Sequence, residues 1–409
     1  MKNHILMAMC FWFGLSAAHA QDNKQLSPIS LTLSQAVDVA WQRAISAKEA
    51  SGLVNRQTAE KIAAQRYWAK SPSIELSRRE DRHQTNSGAQ ETEIGISVPI
   101  WLWGQRKAQN DLATSSLDKA KLNLAAVRLH IAGEVREAIW ALNEAEANYE
   151  QITFLLQNLS SVLHDVDRRV KAGDLARSDS MIAQSEQLAA LSSQSEAALQ
   201  LKAQKSRWAT LMGSALPLAT QVSAELPHAN SSISNHPFFL LATQATDEAR
   251  KKLSLAEISK RDTPELKFGM RQDISAKSLP SQKSLQIALR IPLGSADRHL
   301  PVLAAALSEL EVASAQEMRT LEYLMSEHQL AKEGLSNANL QLQSAKQRSD
   351  LLTERTQLIE KSFKAGETSL PDYLRAMSMS TSAQNAYQRQ IIKTHLAIAR
   401  FNQSLGVTP

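Results

Sequence analysis

The sequence predicts a mainly α-helical chain with a smaller β part, assembled from two copies of one unit. Glycine and proline number only 13 and 12 among 409 residues, so few positions interrupt regular structure. Short motifs recur at a nearly constant offset along the chain. Within each copy the hydrophobic period changes from that of a helix to that of a strand and back.

Residues 1–20 have the layout of a secretory signal peptide. An apolar run over 5–15 follows a basic N-terminus, and small residues end the segment at Ala20. The run is shorter than the about 20 residues that a spanning helix needs, so we expect cleavage and export. The single cysteine, Cys10, lies in this segment, which predicts a mature chain without disulfides, thiolate metal ligands or a lipidated N-terminal cysteine.

The strongest signal is an internal repeat. Three landmarks recur 193 positions later: Lys171-Ala172-Gly173 and Lys364-Ala365-Gly366, Pro99 and Pro292, and Gly213 and Gly406. Pro72 and Pro264 differ by 192 instead, which places a one-residue insertion in a loop between this point and Pro99. We therefore predict a first repeat over 21–220 and a second over 221–409.

Each repeat begins with a helical stretch, from Leu31 to about Ala69 and from Pro237 to about Ser259, and then contains a predicted β-hairpin, over 72–100 and over 264–293. The alternating apolar residues are Ile74, Leu76, Ile94, Ile96, Val98 and Ile100 in the first hairpin, and Leu266, Phe268, Met270, Leu285, Ile287, Leu289 and Ile291 in the second. Strands of about nine or ten residues with one apolar and one polar face suit a membrane barrel. For the strands alone, a half-exposed sheet packed on helices is the alternative.

Aromatic residues flank the first hairpin and favour the membrane interpretation. Tyr67 and Trp68 precede its first strand, and Trp101 and Trp103 follow its second, so the hairpin brings all four to one level. Membrane-interface aromatics have this arrangement, although packing at a strand-to-helix junction also explains it. Because four strands cannot close into a barrel, two or three protomers are needed, and three would supply twelve strands.

A helical hairpin follows each β-hairpin, over 104–213 and over 294–406. The outgoing helix, of about 67 residues, would extend about 100 Å and end at Lys-Ala-Gly, because glycine readily adopts the left-handed conformation after a helix. A helix of about 35 residues then returns. The pairs predict long antiparallel coiled-coil helices whose tips lie far from the strands.

These stretches together resemble the TolC-type outer-membrane efflux family, and within it the CzcC-like members. The residues that carry the resemblance are Leu31-Thr32-Leu33-Ser34-Gln35-Ala36, Tyr67-Trp68-Ala69-Lys70-Ser71-Pro72, Val98-Pro99-Ile100-Trp101-Leu102-Trp103-Gly104-Gln105-Arg106 and the two Lys-Ala-Gly turns. The resemblance covers nearly the whole predicted mature chain. It implies a homotrimer with a twelve-stranded barrel in the outer membrane and a helical tunnel in the periplasm.

The resemblance also implies partners and functional residues. An adaptor (a periplasmic membrane fusion protein) would dock on the helix tips, and an inner-membrane pump of the RND type would drive export of heavy-metal cations or drugs. The implied adaptor-docking residues are Lys171, Gly173, Asp174, Lys364, Gly366 and Glu367. A periplasmic gate is implied at Asp372, with Asp179 as its counterpart in the first repeat.

Arg375 departs from the family pattern, which has a second aspartate at this position. An all-acidic gate is therefore in doubt, and Asp372 and Arg375, three residues apart, could instead pair on the helix. Asp372 also lies in a first helical turn, where an acid is stabilising for reasons of the helix dipole alone. For the tip residues, pure turn chemistry is likewise an alternative to docking.

The sequence contains no common catalytic, phosphate-binding or metal-binding motif, so we predict no enzyme activity, no cofactor and no bound metal. Basic residues are interspersed with acids, which argues against a nucleic-acid partner. Two rival functions remain at this stage: a soluble periplasmic coiled-coil scaffold or adaptor, and an envelope enzyme with helical insertions.

Overall fold

The structure is a computed structural model, and it describes residues 32–81, 83, 87–213, 225–228, 232–276, 279–294 and 296–409. The predicted signal peptide lies outside these residues. In chain order the elements are α1 (Leu33–Arg43), α2 (Ile45–Ala64), β1 (Ser73–Glu80), β2 (Gln90–Pro99), α3 (Gln105–Ala172), α4 (Arg177–Met212), α5 (Pro237–Ile258), β3 (Glu265–Ile274), β4 (Gln282–Arg290), α6 (Ala296–Lys364) and α7 (Leu370–Ser404), with a 3-10 turn at Ile233–Asn235 before α5.

The helical stretch expected from Leu31 to about Ala69 is two helices instead of one. Thr32 caps the first: its hydroxyl accepts from the Gln35 N–H, and the Gln35 side chain accepts from the Thr32 N–H. Ala44 interrupts the pattern with an extended backbone, φ −65° and ψ 130°, and α2 ends at Ala64. The sequence around Ala44 contains no glycine or proline, so this break left no sequence signal.

The mainly α-helical prediction is confirmed. Helices α3 and α6 have 68 and 69 residues, so each extends about 100 Å. Near the sheet the helices lie side by side in the order α2, α3, α5, α6, and towards the tips in the order α4, α3, α7, α6. Within the described ranges, no helix combines the length and apolar character needed to cross a membrane.

All four strands belong to one antiparallel sheet in the order β1-β2-β3-β4. Strands β2 and β3 join the two halves of the chain, with Gly95 opposite Gly269. Among the described residues, β1 and β4 have a partner on one side only. The sheet therefore ends in two open edges.

Two buried clusters hold the helices together. The larger one joins α1, α3, α4 and α7 near mid-length and includes Val37, Val135, Ile139 and Trp208. The smaller one, which we call the tip cluster, lies near the helix ends far from the sheet; it contains Leu159, Val166, Ala183, Ala190, Phe363, Leu370, Tyr373, Leu374 and Met377. Packing of apolar stripes at both levels keeps the long hairpins side by side.

Candidate functional site

One face of the sheet is apolar across all four strands. The cross-strand rows are Ile74, Ile96, Phe268 and Ile287, then Leu76, Ile94, Met270 and Leu285, and then Val98, Leu266 and Leu289. Leu285 is 88% exposed and Ile74 is 76% exposed, so the face has little cover within the protomer. A continuous apolar face of this size needs lipid or protein against it.

The opposite face carries a network of charges. The Lys267 Nζ lies 2.7 Å from a Glu75 carboxylate oxygen on β1 and 2.9 Å from one of Glu93 on β2. Arg271, on the same strand as Lys267, lies 3.2 Å from Glu91. The sequence predicted a polar face but not these pairs, because the strand neighbours come from both repeats and their register is not readable from one strand alone.

Two glycines make room for this network. A Cβ atom on Gly95 would lie 3.1 Å from the Lys267 Cε and 3.1 Å from the Phe268 carbonyl oxygen. One on Gly269 would lie 3.1 Å from the Ile94 carbonyl oxygen. Because the two glycines face each other, the Lys267 side chain can lie across the sheet to reach Glu75.

The four aromatics lie together at the helical end of the sheet. The Trp101 Nε1 donates to the Arg66 carbonyl at 3.2 Å, and the Arg106 guanidinium lies over the Tyr67 ring at 5.3 Å. Trp103 is 100% exposed, Tyr67 is 80% exposed and Trp68 is about half exposed. These residues precede β1 and follow β2, so they flank the helical end of the first hairpin.

Both tips are tight glycine turns. Gly173 has φ 87° and Gly366 has φ 81°, and no atom outside their immediate surroundings lies within 4 Å of a Cβ built on either. The Asp174 N–H donates to the Arg169 carbonyl at 2.9 Å, and the Glu367 N–H donates to the Ser362 carbonyl at 3.0 Å. These bonds satisfy carbonyl groups at the helix ends. The other predicted tip residues, Lys171 and Lys364, are exposed at the same ends.

The two aspartates of the predicted gate occupy equivalent positions at the starts of α4 and α7. Asp179 accepts from the Ala176 N–H at 3.2 Å, and Asp372 accepts from the Ser369 hydroxyl at 2.6 Å. The Asp372–Arg375 pair that the spacing allowed is not formed; the Arg375 side chain is exposed and, in the described part of the chain, makes no ion pair. Each aspartate therefore caps a helix, whatever else it does.

The tip cluster connects the two hairpins directly beside these residues. The rings of Phe363 on α6 and Tyr373 on α7 stack with centroids 5.1 Å apart, and the Arg169 guanidinium of α3 lies over Phe363 at 5.1 Å. Burial raises the pKa of the Tyr373 phenol. Phe363 therefore contacts residues of both helical hairpins.

Among the described residues, no group of three or more His, Cys, Asp or Glu side chains is arranged to hold a metal ion.

Comparison with known proteins finds similar sequences and similar structures. Residues 48–214 match the family model for outer membrane efflux proteins. The chain is 25% identical over 325 residues to the cobalt-zinc-cadmium resistance protein CzcC of Cupriavidus metallidurans. This alignment covers 76% of each chain.

Solved structures share the fold. The outer-membrane protein VceC of Vibrio cholerae superimposes with a TM-score of 0.74 at 17% identity, covering 91% of this chain and 96% of VceC. CusC, whose structures describe transmembrane channel formation, superimposes with a TM-score of 0.78 at 14% identity, covering 92% of each chain. The chain is thus similar in sequence to outer membrane efflux proteins over 48–214, and it shares the fold of the TolC-type outer-membrane channels.

Proposed function

We propose that the chain is the passive exit duct of a tripartite efflux system, with three copies closing one twelve-stranded barrel in the outer membrane. The apolar face that runs through all four strands, above helices about 100 Å long, is the observation that carries this proposal. Lipid covers the apolar face, and the charged network of Lys267 and Glu93 lines a water-filled lumen. The exposed Tyr67, Trp68 and Trp103 and the half-buried Trp101 lie at the membrane interface.

The open edges support the trimer. Unpaired strand edges in lipid cost several kcal/mol for each unsatisfied backbone group, so β1 and β4 need partners. Twelve strands from three copies are within the range of closed membrane barrels, whereas four are too few. The duct itself performs no catalysis and draws its energy from an inner-membrane pump.

The adaptor docks on the helix tips in this proposal. Lys171, Asp174, Lys364 and Glu367 are exposed there, and the backbone turns at Gly173 and Gly366 fix their positions. Both tips present one basic and one acidic residue around a glycine, so the duct offers equivalent sites to copies of one adaptor.

The name of one relative supports a cargo class for the proposed duct. CzcC is named for resistance to cobalt, zinc and cadmium, and this name supports divalent cations as the cargo here. A deletion strain should become more sensitive to these three metals, and the wild-type gene should restore resistance. If the strain is sensitive only to drugs, the proposed duct is retained and the proposed cargo of divalent cations is wrong.

Single-channel recording tests the duct and its gate together. Wild-type trimers in planar bilayers should show low conductance, and Asp372→Ala with Arg375→Ala should raise it. Because Asp372 also caps α7, Arg375→Ala alone is the cleaner variant: it should raise conductance while leaving thermal stability unchanged. Asp179→Ala, in the first repeat, is the matched test of the other aspartate. Unchanged conductance in all three variants would remove these residues from the gate, and no conductance in any of them would remove the duct.

A further inference from the structure

We infer that neighbouring protomers pair β4 with β1 in one specific antiparallel register, with Arg290 of one copy directly opposite Glu75 of the next. This inference rests on the proposed trimeric duct and deepens it. It follows from treating the contact between the two halves of one chain as the template for the contact between two chains.

The structural repeat fixes the offset for each strand. In the first hairpin Ser73 faces Ser97, and in the second Glu265 faces Arg290. Ser73 and Glu265 differ by 192 positions, and Ser97 and Arg290 by 193. The registers of the two hairpins therefore agree only if the offset changes by one residue in the loop between the strands. Strand β1 corresponds to β3 at 192, and β2 corresponds to β4 at 193.

The helices obey the same two offsets. Ala44 before α2 has φ −65° and ψ 130°, and His236 before α5, 192 positions later, has φ −66° and ψ 127°. Two of the four positions buried in α2, Gln57 and Ala64, correspond to the buried Ala249 and Ala256 of α5. For α3 and α6 the offset is 193, and the buried Ile131 corresponds to the buried Leu324. These equivalent positions are therefore buried in both halves of the chain.

The contact between β2 and β3 then gives the contact between protomers. Ser97 on β2 faces Lys267 on β3. Moving Ser97 forward by 193 gives Arg290, and moving Lys267 back by 192 gives Glu75. Both side chains are exposed in the single chain, at 79% for Arg290 and 50% for Glu75. Opposite charges directly across an antiparallel pair are stabilising, and shifting the register by two residues would separate them.

The neighbouring pairs in this register keep the faces matched. Leu289 lies opposite Leu76, and Ile291 lies opposite Ile74, both on the lipid side. Ala288 lies opposite Ser77 on the lumen side. Nearer the loops, Ile287 faces Arg78, at the end of β1 where the apolar face of that strand stops. A shift of one residue would place every apolar side chain of β4 against a polar one of β1.

The helices give an independent second pair of contacts. Between α3 and α5, the Ser115 hydroxyl donates to Asp247 at 2.8 Å, and the Ser116 hydroxyl donates to Glu248 at 2.6 Å. The same offsets convert the first contact into Ser308 of α6 with Asn55 of the next copy's α2. They convert the second contact into Glu309 with Arg56, again a pair of opposite charges. Asn55, Arg56, Ser308 and Glu309 are all exposed in the single chain.

Disulfide trapping tests the register. Arg290→Cys with Glu75→Cys, in a Cys10→Ala background, should form covalent dimers and trimers on oxidation, because directly opposed strand positions bring Cα atoms within about 4.5–5.5 Å. The matched controls are Arg290→Cys with Ser77→Cys and Arg290→Cys with Ser73→Cys, each shifted by two residues. Their cross-linked yield should be about tenfold lower, since diagonal neighbours are about 7–8 Å apart.

A second pair keeps the test decisive if the strand variants assemble poorly. Asn55→Cys with Ser308→Cys should cross-link protomers, and Asn55→Cys with Ala315→Cys, two helical turns away, should not. Native mass spectrometry of each variant shows whether it is trimeric. This distinguishes a failure of the proposed register from a failure of the proposed trimeric duct. Trimers that cross-link best in a shifted pair, or that do not cross-link at the helical pair, overturn the register and leave the duct intact. A protein that is never trimeric overturns the proposed function itself.

Discussion

Arg136 is the clearest case of a single residue that organises this fold. Its side chain is 2% exposed in the middle of α3, where its Nε and Nη2 donate to the two oxygens of the Glu225 carboxylate, at 3.0 and 2.7 Å. It also donates to the Gln403 side chain on α7. A buried guanidinium without partners is costly. The ion pair with Arg136 therefore holds Glu225, and with it the segment between the two repeats, against α3.

Replacing Arg136 should destabilise the protein much more than replacing an exposed arginine nearby. Arg136→Met leaves Glu225 without its counter-charge in a largely buried site, and breaking such a pair costs about 3–5 kcal/mol. The matched control is Arg400→Met, which breaks the exposed pair with Glu137 and should cost about 0–1 kcal/mol. Thermal melting in detergent measures both, and equal shifts would show that Arg136 is not a structural anchor.

His236 makes stability depend on pH. Burial lowers the pKa of its imidazole, and the neutral Nδ1 accepts from the Phe238 N–H at the start of α5. The unfolded chain takes up a proton as pH falls through about 6.5, whereas the folded chain resists until a lower pH. Stability is therefore full above about pH 6.5 and should fall as the solution is acidified below it.

His236→Asn should reduce this dependence, because asparagine caps a helix without titrating. The melting temperature of the wild type should drop more than that of the variant between about pH 7.5 and pH 5.5. Some dependence of the melting temperature on pH should remain in the variant, because burial also lowers the pKa of His395, which stacks on Trp140. Identical slopes for the two proteins would contradict the assignment.

At the scale of elements, the glycines at the tips have a different role from those inside helices. Gly366 has positive φ, so Gly366→Ala should cost about 1 kcal/mol in backbone strain alone. Gly334 lies within α6, and a Cβ added to it would meet no atom within 4 Å outside its own helical turn, so Gly334→Ala should stabilise the protein by about 0.5–1 kcal/mol. Opposite shifts in melting temperature are expected, and shifts of the same sign would contradict the turn geometry.

The long elements were the part of the fold most readable from the sequence. A period of 3.6 sustained over nearly seventy residues has one structural explanation, and Lys-Ala-Gly marks its end by backbone chemistry alone. The break at Ala44 was not readable, because no local residue type encodes it. The charged network around Lys267 was also missed, since it depends on the pairing of β2 with β3 across 165 or more residues of sequence.

The functional residues were readable to different degrees. The sequence placed Asp372 in a first helical turn, where the helix dipole stabilises an acid, and the structure has it there, beside the N-cap Ser369. The pairing of Asp372 with Arg375 was allowed by spacing and does not form, because the nearer Ser369 hydroxyl takes the carboxylate. The roles of the tips, the gate and the aromatics depend on other molecules, so they remain predictions.

At the scale of the whole molecule, the two faces of the sheet should respond oppositely to charge. Ile287 and Gln286 are neighbours on β4 that point to the apolar and the polar face. In the proposed barrel, Ile287→Arg adds a charge to the lipid face beside Arg78 of the next copy, at a cost of up to about 2–4 kcal/mol, whereas Gln286→Arg adds one to the water-filled lumen. Outer-membrane levels should fall for the first variant only. Equal levels would show that the apolar face is not in lipid.

The assembly of the strands in lipid is the point on which the duct, the gate and the register all depend. Native mass spectrometry of the wild-type protein, extracted from outer membranes in mild detergent, measures it directly. We expect one species of three copies that requires detergent to remain in solution. A monomer that stays soluble without detergent would contradict the barrel and every role assigned to it.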